Sequence, residues 1–142
     1  MRSRGSAHKK QEVNNDLERA QRLRSILEEL KEVNKIFPIV VEGRKDEIAL
    51  RMFGMEGEIF HLHRGKNIYE FCEDILERHS RVVLLMDWDN SGEELTRKLT
   101  TNLRGHWEEF APFRETIKGL AQKDINDIEG IVKLIERLEG EQ

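Results

Sequence analysis

Cysteine is almost absent from this chain of 142 residues: Cys72 stands alone. A single thiol excludes an internal disulfide framework and fits a reducing compartment, so a cytoplasmic location is expected. Its place on the apolar side of a helical pattern marks it as a buried structural thiol. Long apolar runs are missing too. The longest, "IFPIVV" and "VVLLM", fall far short of the roughly 20 residues that cross a bilayer. No basic head followed by an apolar stretch opens the chain, so no secretory leader is expected. Surplus positive charge is also lacking, with 24 Lys and Arg against 28 Asp and Glu and a formal net charge of −4. A globally basic nucleic-acid binder is excluded, and any grip on phosphates has to come from local patches. The sequence holds no internal repeat and no low-complexity segment.

What is present suffices for one domain with a real core. Residues 1–13 open on "MRSRGSAHKK", four basic residues and no acid, and read as a basic flexible tail; an arm touching nucleic acid is the competing reading. Over 14–35, Leu23, Ile26, Leu27 and Leu30 recur at helical spacing. This N-terminal helix is expected to pack on the core, or to dock a protein partner or a second copy. Residues 36–142 form the main domain. "IFPIVV" reads as a strand buried on both faces. A helix follows with Ile48, Met52 and Phe53 inward, then a short strand "EIFHL" (58–62). Next come a helix carrying Ile68, Phe71, Cys72, Ile75 and Leu76, and a second buried strand, "RVVLLMD". A helix over 91–105, a weaker strand "FRETI" (113–117) and a last helix over 126–140 complete the order. In that last helix Ile128, Ile131, Val132, Ile135 and Leu138 point inward. Strands alternating with helices predict an α/β domain with a four-stranded, mostly parallel sheet and helices on both faces.

In such sheets ligands gather at the carboxyl ends of the strands, and both buried strands end in acid. Glu42 follows the first. Asp87 and Asp89 follow the third, at a spacing that sends two extended side chains the same way. Carboxylates that close repel, and one is driven to keep its proton unless a cation accepts both. Mg²⁺ suits the task, since it takes a few carboxylates and leaves room for phosphate. Ser91 and Glu94 have capping-box spacing, which explains Glu93 and Glu94 as helix initiation. Capping does not reach back to Asp87.

"VVEGRKDEIALRMFG" followed by "VVLLMDWDNSGEEL" resembles a Toprim domain. That family is shared by topoisomerases, bacterial-type primases, overcoming-lysogenization-defect nucleases, recombination mediators and the 5S ribosomal RNA maturase. The resemblance rests on Glu42-Gly43 after the first core strand and Asp87-x-Asp89 after the third, with Gly92 behind them. It covers about residues 36 to 138 and is most similar to the small stand-alone Toprim proteins related to the maturase's catalytic part. It implies a Toprim-like Rossmann-type fold and Mg²⁺-dependent phosphodiester chemistry, either nucleolytic cleavage, RNA processing included, or nucleotidyl transfer. In these roles Glu42 is the general acid or base, and Asp87 and Asp89 are the metal ligands, with Glu42 within their reach. Gly43, Asp46 and Gly92 support them. Arg44, Lys45, Arg64 and Lys66 flank the strand ends as candidate contacts to phosphates of RNA or DNA. A topoisomerase needs a nucleophilic tyrosine on a separate domain, and the lone tyrosine here, Tyr69, falls on a core helix. The zinc-binding and helicase-binding parts of a primase are missing as well.

Three rival readings stay open. Toprim domains also serve binding and assembly without turnover. "DWDNS" resembles the loop of haloacid-dehalogenase-type phosphatases, with Asp124 and Asp127 as a later acidic pair; the same two residues are alternatively aids to metal binding. His61 and His63 share one face of a short strand, but a zinc site lacks its further ligands. His8, His79 and His106 read as loop or surface residues. Trp88 points away from its flanking aspartates and reads as packing, with base stacking as the functional option.

Overall fold

The computed structural model describes residues 2–62 and 67–140. Three strands, β1 (Ile39–Val41), β2 (Ile59–His61) and β3 (Val83–Leu84), form a parallel sheet in the order β2-β1-β3. Val41 lies beside His61, and Val40 beside Phe60 and Leu84. Beyond β3, the Leu85 N–H still donates to the Val40 carbonyl at 2.8 Å. Alternation along the strands splits the apolar run between two cores. Ile39, Val41, Val83 and Leu85 enter one, and Val40, Val82, Leu84 and Met86 the other. Both faces are therefore covered, which is why these strands read as unbroken apolar runs.

The first core is completed by α1 (Arg2–Asn34), α2 (Arg44–Met52), α5 (Ala111–Ala121) and α6 (Ile131–Leu138); the second by α3 (Ile68–Leu76) and α4 (Asn90–Asn102). α1 lays Ala20, Leu23, Leu27 and Leu30, all buried, against α5 and α6. Its stripe is thus covered within the chain. Arg24 locks the contact, donating from both Nε and a terminal nitrogen to Glu139 at 2.6 and 2.7 Å. Cys72 is buried as expected, and burial pushes its thiol up to about 11. Among the described residues no helix is long and apolar enough to cross a membrane.

Three expectations need correction. The sheet has three strands among the described residues, because "FRETI" lies inside α5. A strand would set Glu115 on the same face as Phe113 and Ile117. The helix instead turns Phe113, Arg114, Ile117 and Ala121 inward and leaves Glu115 exposed. The second is the start of the N-terminal helix, expected at residue 14: α1 begins at Arg2 and takes in residues 2–13. Residues such as Lys10 and Gln11 favour helix on their own, while the buried stripe begins only at Ala20. The third correction is the phase of α2. Asp46, Ala49 and Leu50 are buried with Phe53 packed behind them, whereas Ile48 and Met52 face solvent. The buried Asp46 carboxylate, held by backbone donors described below, sets that phase.

At the amino ends of the strands, buried Asn34 closes α1 onto the sheet. Its Nδ2 donates to the Phe37 and Glu58 carbonyls, and its Oδ1 accepts from Gly57 N–H at 2.9 Å. A Cβ at Gly57 would lie 1.8 Å from the Asn34 carbonyl oxygen, so the close approach requires glycine. Asn34→Ala leaves the Phe37 carbonyl and the Gly57 N–H without this partner and the Glu58 carbonyl with the Ile39 N–H at 3.1 Å. It is expected to lower stability by about 1–3 kcal/mol in urea denaturation; an unchanged midpoint would show that water replaces the side chain.

Candidate functional site

β1 and β3 are neighbours, so Glu42 and Asp87 emerge side by side at the carboxyl edge of the sheet. The two carboxyls are in side-chain contact, yet Glu42 Oε1 and Asp87 Oδ1 are buried and, among the described residues, meet no donor. Two carboxylates accept only, and they can bond each other solely through a shared proton. Asp87 shows the consequence. Burial, then the charges of Asp46 and Glu42, contact with the Glu42 carboxyl and the charge of Asp127 push it up to about 8.

Two further acids crowd this edge. Asp46, on the first turn of α2, is buried and accepts from Gly43 N–H at 3.2 Å and Glu129 N–H at 2.9 Å. Desolvation raises its pKa, against the pull of those two bonds. Asp127 accepts from Gly130 N–H at 2.8 Å, and its charge acts on both Asp46 and Asp87. Trp88 brings that segment in. Its backbone N–H donates to the Asn126 carbonyl and its indole Nε1–H to the Ile125 carbonyl, at 2.8 and 2.7 Å. Trp88 is thus a packing residue that fixes the turn carrying Asp127.

Asp89 is different. It is exposed and caps α4, its Oδ1 accepting from Gly92 N–H at 2.7 Å. The cap is therefore Asp89, not Asn90 or Ser91, and the Ser91–Glu94 capping box is not formed; Glu94 pairs with Arg97 instead. One Asp89 oxygen is committed to the helix, and the other makes no hydrogen bond with a described residue. Gly92 is needed for closeness, since a Cβ there would sit 2.0 Å from the Asp87 carbonyl oxygen. Gly43 is the opposite case. Its backbone is extended and a Cβ would meet nothing within 4 Å, so the edge beside Glu42 is open.

Sequence reasoning missed Arg114. It is buried in α5 and donates to the Met86 carbonyl at 2.8 Å and the Asp87 carbonyl at 2.6 Å. It also pairs with Glu93, which Lys118 holds at 3.2 Å. The Arg114 hydrogen bond comes first in lowering the Glu93 pKa. The backbone that presents Asp87 is thus clamped by a buried guanidinium. A helical reading of 111–121, with Arg114 between Phe113 and Ile117 on the apolar face, would have found it.

Of the other expected residues, Arg44 and Lys45 are exposed at the start of α2. Arg64, Lys66 and His63 lie outside the described residues. His61 Nε2 stands 3.6 Å from Glu47 rather than in a zinc set. Asp124 is taken by Arg19 and Arg137 at 2.6 and 2.9 Å, so of the late acids only Asp127 joins the site. Among the described residues, no three His, Cys, Asp or Glu side chains form a ready metal cluster.

A parallel three-stranded α/β layer with acids gathered at its strand ends defines the class. No family model matches the chain. By its relatives the chain belongs to the UPF0292 family. It is 35% identical over 126 residues to a UPF0292 protein of Thermococcus sibiricus, covering 87% of this chain and 95% of the relative. The figures for one from Pyrococcus horikoshii are 36% over 123 residues, 86% and 90%. For one from Methanosarcina barkeri they are 31% over 126 residues, 84% and 85%. A solved structure of an Aquifex aeolicus protein matches with a TM-score of 0.58 and 28% identity, over 74% of this chain and 94% of that one.

The raised Asp87 pKa fixes a sign. Folded Asp87 keeps its proton up to about pH 8, whereas its unperturbed value is 3.8. Between those values the folded chain binds more protons than the unfolded one, so stability falls as pH rises and levels off above about 8. Asp87→Asn is expected to flatten that fall and to be more stable than wild type at the alkaline end. Urea unfolding from pH 5 to 9 without divalent cations checks this; parallel curves for the two proteins would refute it.

Proposed function

We propose that the protein is a Mg²⁺-dependent nuclease of the Toprim type, cutting phosphodiester bonds in nucleic acid. One observation carries the reading: Glu42 Oε1 and Asp87 Oδ1, buried and without donors among the described residues, meet where two neighbouring strands end. A cation satisfies both oxygens and removes the repulsion that holds a proton on Asp87. Mg²⁺ needs only one or two carboxylates from a protein. Asp87 and Glu42 would supply these, with Asp89 exposed nearby at the start of α4, and a bound ion would supply neutralisation of charge on the phosphate. Glu42 is placed to take or give a proton beside it. Arg44 and Lys45, exposed next to open Gly43, hold neighbouring phosphates; Arg64 and Lys66 are assigned the same task from the sequence. Arg114 keeps the Asp87 backbone fixed, so the carboxylates stay together whether or not an ion is present.

The phosphatase reading loses its second acidic pair, because Asp124 is consumed by two arginines. A binding module without turnover uses the same carboxylates, and the test below separates the two.

Mg²⁺ is expected to raise the thermal midpoint of wild type and to support cleavage of a mixed RNA and DNA panel. Glu42→Gln should lose at least about 100-fold in cleavage rate. Asp87→Asn/Asp89→Asn should lose both cleavage and the Mg²⁺-dependent shift. Because the metal displaces a proton from Asp87, apparent Mg²⁺ affinity should rise about tenfold per pH unit until about pH 8. Mg²⁺ stabilisation with no cleavage of any substrate would assign the chain to binding; no Mg²⁺ effect on wild type would end the metal reading.

A further inference from the structure

Beside the acidic edge, on the β2 side, lies an open groove of about 640 Å³ lined by Arg44, Glu47, Ile48, Arg51, Met52 and His61. Its position follows from the register. His61 ends β2 opposite Val41, the residue before Glu42, and Arg44 begins α2 two residues after it. The groove and the carboxylates therefore share one end of the sheet. Its floor is apolar where the solvent side of a helix is ordinarily polar: Ile48 is 49% exposed and Met52 67%, one turn apart on α2. Its charge is positive in a chain of net charge −4. Glu47 is met by Arg51 at 3.3 Å and by His61 at 3.6 Å, while Arg44 has no acidic partner among the described residues.

An uncompensated cation beside two exposed apolar side chains fits an anion that carries a flat apolar face. That is a nucleotide whose base is not paired. A duplex offers the phosphate and hides the base. Building on the nuclease reading, we infer that this groove seats an unpaired nucleotide next to the scissile phosphate, its base on Ile48 and Met52 and its phosphate on Arg44. The substrate class is then single-stranded nucleic acid, or the unpaired flank of a folded one.

The test uses the full chain with Glu42→Gln, which keeps substrate intact in Mg²⁺. Fluorescence anisotropy compares labelled oligouridylate and oligothymidylate with blunt duplexes of equal length. Single strands are expected to bind about tenfold more tightly than duplexes. Adding Ile48→Ser/Met52→Ser should erase that preference without moving the thermal midpoint, since both side chains already face solvent. Arg44→Ala should weaken both ligands and reduce the salt dependence. Equal binding of both forms, or a preference that survives the double substitution, overturns the groove assignment while leaving the nuclease reading intact if Mg²⁺-dependent cleavage persists in wild type. No binding and no cleavage of any nucleic acid overturns both. A wild-type dimer in sedimentation that the double substitution dissolves would give the groove to a second copy and overturn the proposal too.

Discussion

Where β1 and β3 end, the Glu42 and Asp87 carboxyls press together with one oxygen of each buried and, among the described residues, without a donor. Burial penalises the charged form of Asp87, and the neighbouring carboxylates penalise it further, so a proton stays on Asp87 far above its ordinary range. Asp46 and Asp127 add to the same field. Much of the surrounding structure can be understood as holding this unfavourable cluster in place. Arg114 ties down the backbone on either side of the Met86–Asp87 peptide, Trp88 ties that turn to the 125–126 segment, and Asp46 fastens the start of α2 to Glu129.

Those restraints are made to backbone atoms rather than to the carboxylate oxygens in question. Arg114 reaches the carbonyl of Asp87, not its side chain, and spends its charge on Glu93. A guanidinium turned toward the Asp87 carboxylate would have quenched the repulsion at once. The arrangement instead fixes position while leaving charge uncompensated, which accords with the proposed cation site. Asp89, exposed, divides its work in a related way, one oxygen starting α4 and the other making no hydrogen bond with a described residue.

Much of this was legible in the sequence because it depends on strand ends. Apolar runs closing on Glu42 and on Asp87 announce buried parallel strands with acids at their carboxyl edge, and the register bears out their adjacency. What escaped depends on helical phase. α2 carries two apolar stripes, and Ile48 with Met52 looks as suitable for a core as Ala49 with Leu50. Only the buried, backbone-bonded Asp46 decides between them, and a short acidic side chain at the third position of a helix reads as solvated. Arg114 escaped for the same reason. An arginine within "FRETI" is outward on a strand and inward on a helix, and a five-residue window cannot tell the two periods apart.

The two ends of the sheet show that the crowding is not loose folding. At the amino ends, Asn34 and Arg51 together supply partners to the turn around Gly57, Asn34 bonding the Gly57 N–H and the Phe37 and Glu58 carbonyls and Arg51 the Met55 and Gly57 carbonyls. Two buried nitrogens elsewhere, Arg19 Nε and His79 Nε2, also lack a hydrogen bond, but each residue has an acid beside it, Asp124 at 2.6 Å and Glu58 at 3.4 Å. Glu42 and Asp87 have only more acid. A chain that satisfies its polar groups at one edge of a three-stranded sheet and concentrates like charge at the other is built with a polarity. The open backbone at Gly43, Arg44 without an acidic partner among the described residues, and the apolar face of α2 all lie on that charged side. On the proposed reading, cation, phosphate and base would find complementary surfaces within a few residues of Glu42, and a cation would take over the relief that a proton on Asp87 otherwise gives.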